Sequence, residues 1–381
     1  MKTPLAFLNL IHEKTRLGVA IAGVAFAVLL VFMNLGFLGA LVQTTSEIYE
    51  KMNAQIFLVS PQTLEISTAK AFPRERLYGA AGIAGVQRVM PMYVGYGQWR
   101  NPITRLSRAI FIFAINPSDP VFAMPEFADP QLAQTLQRPN LVMIDRRSRP
   151  EFGPQTTDTI TEVERRRVKI AGSYALGGGF AADGTLIMSD QNFLRLFPRR
   201  FLQRIDLGLI QLTDDANSEA VKQAIRAKLP NDVLIFTKAE IIAREQAYWI
   251  GTTSIGFIFS LGVVVSCIVG TVIVYQILST DISNHLPEYA TLKAMGYRSR
   301  YLFGVVIQEA IILSVMGYIP GYLLSFVLYQ LTIQATSGGL PMSMNLGRAL
   351  FVLLLAVGMC SISGLISVRK VIMADPAEVF S

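Results

Sequence analysis

The sequence predicts an α-helical membrane protein with four transmembrane helices and a large α+β extracytoplasmic domain, a porter-like layer with a β-rich insert, between helices 1 and 2. Three observations predict it. Of 381 residues, 52% are hydrophobic and only 16% are charged, more apolar surface than a soluble core absorbs. Four apolar runs reach span length, at residues 18–41, 254–278, 302–331 and 350–368, one near the start of the chain and three near its end. Between the first two runs, residues 42–250 alternate strand and helix patterns, and charges interrupt every apolar stretch there.

The first run carries Asn34 as its only strongly polar residue and is long enough to cross a hydrocarbon core of about 30 Å. A signal peptide would have a shorter apolar core followed by a small-residue cleavage site, and none is evident after Leu41. Orientation follows from the short flanks. Lys2, Lys14 and Arg16 precede span one, Lys293, Arg298 and Arg300 lie between spans two and three, and Arg369 and Lys370 follow span four. Arg348 alone marks the opposite side. The positive-inside rule therefore expects residues 1–17, 279–300 and 369–381 in the cytoplasm, with 42–250 and the 334–348 loop outside. A formal charge of +7 then needs no nucleic acid to explain it.

The two ends of the large domain look related. Residues 55–60, 86–99 and 109–115 read as strands, with a short helix at 73–81. Residues 205–212 and 233–236 read as strands flanking a helix at 217–229, with Ser218 and Glu219 near its start. Two β-α-β halves, 42–115 and 205–250, are thus expected to build one split α+β layer. The insert, 116–204, opens with Pro117, Pro120, Pro125, Pro130 and Pro139 and continues through strand-like segments at 141–145, 168–174 and 185–188.

Chemistry-bearing clusters are sparse. Both histidines, His12 and His285, and both cysteines, Cys267 and Cys360, lie outside the large domain, so it holds no Ser-His-Asp or Cys-His arrangement. No disulfide, thiolate metal site or histidine metal site is expected. Asp214 and Asp215 read as a turn cap rather than a proton-sharing pair. The run Gly177-Gly178-Gly179 lacks the spacing of a phosphate-binding loop and reads as a turn. The basic runs Arg146-Arg147-Ser148-Arg149 and Arg165-Arg166-Arg167 read as solvated or acid-paired loops, with Asp145, Glu151, Glu162 and Glu164 nearby in sequence, and anionic headgroups are the alternative ligand. A membrane-anchored enzyme therefore has no recognisable active-site set.

The sequence contains no Walker A motif, so ATP, if used, would be hydrolysed by another subunit, with no cofactor in this chain. A docking surface for that subunit is visible between spans two and three. Pro287 opens a short amphipathic helix in which Tyr289, Leu292 and Met295 recur three residues apart, and Gly296 ends it. An interfacial anchor is the plain alternative.

The segment EYATLKAMG at 288–296 resembles the E-x-x-x-L-x-A-x-G signature of the FtsX/MacB/LolC mechanotransmission permeases of ABC transporters. The one-plus-three span layout and the ending DPAEV at 375–379 resemble the same family over essentially the whole chain. LVMIDRRSRPEFG (141–153) and FAADGTLIMSDQNFLRLF (180–197) are similar to its DevC-type branch. A MacB chain carries its own N-terminal ATPase; this sequence does not. The resemblance implies a dimer of this chain, most simply a homodimer, bound to a separate ABC ATPase that holds ATP and Mg. It further implies a periplasmic membrane-fusion adaptor, a TolC-like outer-membrane channel, and export of a glycolipid or related envelope lipid. Glu288, Leu292, Ala294 and Gly296 would form the coupling helix. An FtsX-like signalling scaffold, moving a cell-wall hydrolase and no substrate, is the alternative within the family.

Helix packing has its own candidates. Small residues recur at four-residue spacing at Gly36 and Ala40, Ser266 and Gly270, and Gly317 and Gly321, fit for close contacts within or between chains. Pro320 is expected to kink span three. Glu309 lies inside span three, where a carboxylate is costly unless paired, protonated or hydrated; a structural hydrogen bond fits better than a proton relay, which would need a partner.

Overall fold

The computed structural model describes residues 14–177, 180–284, 291, 295, 299–336 and 338–373. They form two compact units, one of membrane helices and one built from residues 40–256 and 333–341.

The large unit is organised by one nine-stranded sheet. Strand β1 (Ile56–Val59), helix α2 (Arg74–Ala80) and strand β3 (Val86–Arg100) make its first β-α-β half; α1 and the short β2 are given below. Strand β10 (Leu207–Leu212), helix α5 (Ser218–Lys228) and strand β11 (Leu234–Thr237) make the second. The order β11-β1-β10-β3, antiparallel throughout, interleaves the halves as a split β-α-β layer. Local chemistry sets the helix starts: the Asn217 side chain accepts from the Glu219 and Ala220 amides to begin α5. A capping box of Thr237 and Glu240 begins helix α6 (Lys238–Gly251), which the sequence reading left unassigned.

The insert does not form a sheet of its own. Its strands β5 (Leu141–Asp145), β6 (Ile160–Val163), β7 (Arg166–Tyr174) and β8 (Thr185–Ser189) join β3 and β4 (Ser107–Ile115). Around the ring, β4 pairs with β8 in parallel, β8 with β5, β5 with β7 in parallel, β7 with β6, and β6 returns to β3 through Trp99↔Val163 and Arg100↔Glu162. With β3 against β4 this closes a six-stranded barrel. The reason lies in β3, which at 15 residues spans about 50 Å and serves the layer with one half and the barrel with the other. Closure removes open edges. The remaining edge, β11, has four residues, and its Thr237 amide is already taken by the Glu240 carboxylate (2.8 Å).

Apolar alternation fills both faces of the sheet. Trp99, Ile110, Ile112, Val163, Ile170 and Leu186 share one buried cluster, and the Trp99 indole donates to the Phe152 carbonyl (2.9 Å). Phe57, Met92, Phe111, Phe113, Ile187 and Ile241 belong to the other. The expected strand at 205–212 is broken: a two-residue strand β9 (Arg204–Ile205) pairs with β2 (Phe72–Pro73), and β10 starts after Asp206. That carboxylate accepts from the Val94 amide (2.9 Å) and pairs with Arg200. Two short helices, α3 (Pro130–Gln137), capped by Asp129, and α4 (Asp190–Leu196), capped by Ser189, complete the insert.

Among the described residues, the membrane unit is drawn from four helices long and apolar enough to cross a bilayer: α1 (Lys14–Glu50), α7 (Ser254–Asn284), α8 (Ser299–Ala335) and α9 (Leu346–Met373). Each runs beyond the apolar window that announced it, and Pro320 lies inside α8. Exposed Phe257, Leu261, Ile268, Leu323 and Leu354 give the bundle an apolar outer surface suited to lipid.

Candidate functional site

Within the bundle, glycines let neighbouring helices approach. A Cβ on Gly317 would lie 2.6 Å from Val24 Cγ1, and one on Gly321 would lie 2.8 Å from the Ala25 carbonyl oxygen, so α8 packs backbone-close on α1. At Gly270 an added Cβ would meet Ala27 at 2.7 Å, and at Gly36 it would meet the Tyr329 ring at 2.6 Å. Ser266 donates to the Gly262 carbonyl (2.7 Å) and accepts from Asn34 Nδ2 (3.4 Å). Ala40 is buried. The small residues singled out from sequence thus pack within this one chain.

Three bundle contacts escaped the sequence reading. Gly262 makes room for Asn34, whose Cγ is 2.7 Å from where a Cβ would sit. Gly39 does the same for the Arg348 guanidinium at 2.9 Å from its Cζ. Ser363 of α9 donates to the Thr271 carbonyl of α7 (2.7 Å), satisfying a polar group where water is absent. Glu309 is wholly buried in α8. Glu288, Leu292, Ala294 and Gly296, expected from the resemblance to form a coupling helix, lie outside the described residues, as do His12, His285, Gly178, Gly179 and the 375–379 motif.

In the large unit, the chain enters along the last turns of α1 and leaves along α6, and the two are tied together. Gln246 donates to the Ser46 hydroxyl (2.6 Å), and the Tyr49 hydroxyl donates to Glu245 Oε2 (3.0 Å). Glu245 Oε1 accepts from the Ile66 amide (3.1 Å), joining the turn after β1 to the same tie. Glu245 is 4% exposed. Burial pushes its carboxyl up to about 7; the Ile66 amide pulls the other way, and nearby Glu65 adds to the rise. Glu65, itself buried, accepts from the Ser67 amide (2.7 Å) and hydroxyl (2.6 Å). Arg244 donates to the Thr63 carbonyl and stacks on Phe236 at 5.2 Å. Nothing in the local sequence signals this site, because Glu245 sits on an ordinary capped helix and its partners are distant in the chain.

The first basic run is acid-paired. Arg146 pairs with Glu126 (2.7 Å), Arg147 with Glu47 (2.9 Å) and Arg149 with Asp183 (2.9 Å), none of them a sequence neighbour. Buried Asp145 accepts from the Arg147 amide (2.9 Å), the Thr185 hydroxyl (3.0 Å) and the Gly177 amide. Gly177 has φ +86, a left-handed conformation open to glycine, and its amide is held by Asp145. Among the described residues no group of three metal-ligating side chains occurs. Burial also pushes Asp206 up to about 6 despite its Arg200 partner, since desolvation outweighs the ion pair.

Among the described residues, four helices long and apolar enough to span, with a split β-α-β layer extended by a barrel between the first and second in sequence, define a multi-pass membrane protein with one large folded domain. Residues 17–228 match the model of the MacB-like periplasmic core domain, and residues 255–376 match the FtsX-like permease C-terminal model. The first match covers more than half of the chain, which therefore belongs to the MacB/FtsX family and is an ABC-type transmembrane component. Among solved structures, it is similar to the periplasmic region of MacB from Actinobacillus actinomycetemcomitans, at 10% identity and TM-score 0.36 over 54% of this chain and 97% of that one. It is also similar to the extracellular domain of the noncanonic ABC-type transporter YknZ from Gram-positive bacteria, at 12% identity and TM-score 0.32 over 48% of this chain and 100% of that one. No protein with a curated description matches.

Proposed function

We propose that this chain is the permease subunit of an ATP-driven tripartite efflux system of the type VII, MacB-like mechanotransmission kind, in its DevC-type branch. The observation that carries the reading is one chain joining a MacB-like core domain to an FtsX-like membrane region. A homodimer of the chain sits on a separate ABC ATPase, which binds ATP and Mg, with both termini of the permease in the cytoplasm. Glu288, Leu292, Ala294 and Gly296 form the helix that engages the ATPase. The large domain receives a periplasmic membrane-fusion adaptor and, through it, a TolC-like channel, and the exported substrate is a glycolipid or related envelope lipid. Motion rather than passage between the spans is the permease's part in the work, which accords with a bundle in which Gly36, Gly270, Gly317 and Gly321 are taken up by packing inside one chain.

A gentle pull-down of the tagged protein from native membranes tests this. Recovery of an ATPase and an adaptor is expected, with ATPase recovery lost when the 288–296 surface is replaced. An ATPase recovered with a cell-wall hydrolase or its activator, and no adaptor, would instead support the signalling scaffold. Recovery of no ATPase would refute both.

A further inference from the structure

The barrel carries at one end a loop that is rigid yet apolar at its tip. Between β3 and β4, residues Asn101 to Leu106 are held from several sides. The Asn101 side chain is buried, accepts from the Ile103 amide (2.8 Å) and the Thr104 amide (3.0 Å), and donates to the Glu151 carbonyl (2.8 Å). The Asn101 amide donates to the Leu106 carbonyl (2.8 Å), and the Arg105 amide donates back to Asn101 (3.0 Å). Arg105 takes φ +62, a left-handed conformation unfavourable for its side chain and maintained by these bonds. From this frame Ile103 and Leu106 project 71% and 66% exposed, the two most exposed aliphatic side chains of the large unit. The register Trp99↔Val163, Arg100↔Glu162 carries β6 backwards toward the loop, where Ile160 is 47% exposed.

The hairpin itself, residues 101–108, carries charge of one sign, from Arg105 and Arg108. Arg100 is paired with Glu162 (3.0 Å), whereas Arg105 and Arg108 are exposed and, among the described residues, no carboxylate pairs with either. A loop that orders its backbone in advance loses little entropy on binding, so its exposed aliphatics can act as anchors. Unpaired guanidiniums beside them favour a partner of opposite charge. A bilayer surface is the weaker fit: the tip has no Trp or Tyr to seat at an interface, and two aliphatic side chains bury too little to hold a domain on lipid.

We propose that the 101–108 hairpin is a docking knob for a soluble extracytoplasmic protein bearing an apolar pocket rimmed by Asp and Glu. Ile103 and Leu106 fill the pocket, and Arg105 and Arg108 meet the acidic rim. The inference deepens the exporter reading by giving the adaptor a seat, and it rests on that reading's placement of the domain outside the cytoplasm.

The test is photo-crosslinking of the full-length chain in native membranes, with a benzophenone amino acid at position 103 and, as a control, at Leu64, which is 57% exposed elsewhere in the unit. The expected result is a protein adduct at 103 and not at 64, with an acid-rich crosslinked peptide identified by mass spectrometry. Its yield should fall roughly 10-fold or more in an Arg105→Glu/Arg108→Glu variant and in an Ile103→Ser/Leu106→Ser variant probed from position 104, scaled on partial burial of two aliphatics. Unchanged tryptophan emission of the purified variants, to which Trp99 and Trp249 both contribute, would establish that they are folded. An adduct with phospholipid, an adduct with a second copy of this chain, equal labelling at 103 and 64, or insensitivity to charge reversal would overturn the proposal. An ATPase and adaptor recovered in the pull-down with no adduct at 103 would sink this inference and leave the exporter reading standing. An acidic soluble protein adducted at 103, with no ATPase recovered, would do the reverse.

Discussion

Replacing Glu245 with Gln should make the tie between the end of α1 and α6 indifferent to pH. The wild-type carboxyl rises from 4.5 to about 7 on folding, chiefly through burial, and this corresponds to about 3 kcal/mol of preference for the protonated form in the native state. The sign follows from linkage. Between pH 4.5 and about 7 the unfolded chain is ionised while the native chain retains its proton, so opening releases a proton. Local stability is therefore full below pH 4.5, falls as the pH rises through this window, and levels off above about 7, having lost up to about 3 kcal/mol. Gln keeps the geometry: its oxygen accepts from the Ile66 amide, and its amide group can donate to the Tyr49 hydroxyl. Hydrogen exchange of the segments around Ile66 and Glu245, in the full-length protein reconstituted in nanodiscs and corrected for intrinsic rates, reads the opening free energy directly. A wild-type profile without slope between pH 4.5 and 7, or the same slope in the Gln variant, would refute the reasoning.

The glycine seams give a paired test. Gly321→Val should destabilise the bundle by about 1–3 kcal/mol, because the new Cβ meets a backbone carbonyl at 2.8 Å, whereas Gly358→Ala, with nothing within 4 Å of its Cβ, should be near neutral; thermal aggregation of the detergent-solubilised protein would compare them. Trp99→Phe leaves the Phe152 carbonyl without its donor inside the barrel and should cost about 1–3 kcal/mol by urea unfolding. Asn217→Ala removes the acceptor for two amides at the start of α5 and should cost about 1 kcal/mol in the same assay.

Local properties of the chain are legible in the sequence alone. Span length and hydropathy are sums over neighbouring residues, so the four membrane helices and the position of the large domain follow from residue order. The same holds for the period-2 runs and capped helices that make the two β-α-β halves, since the split layer is the arrangement that buries both. What only the tertiary structure decided are pairings between residues far apart in sequence. Two residue pairs, Trp99 with Val163 and Arg100 with Glu162, turn a β-rich insert into a closed barrel that borrows β3 and β4 from the layer. The acids near Arg146–Arg149 in sequence are not its ion-pair partners; Glu126, Glu47 and Asp183 are. Glu245 looks like any helix-surface glutamate until Tyr49 and Ile66 close over it. Desolvation depends on which distant atoms exclude water, and no window of sequence contains them.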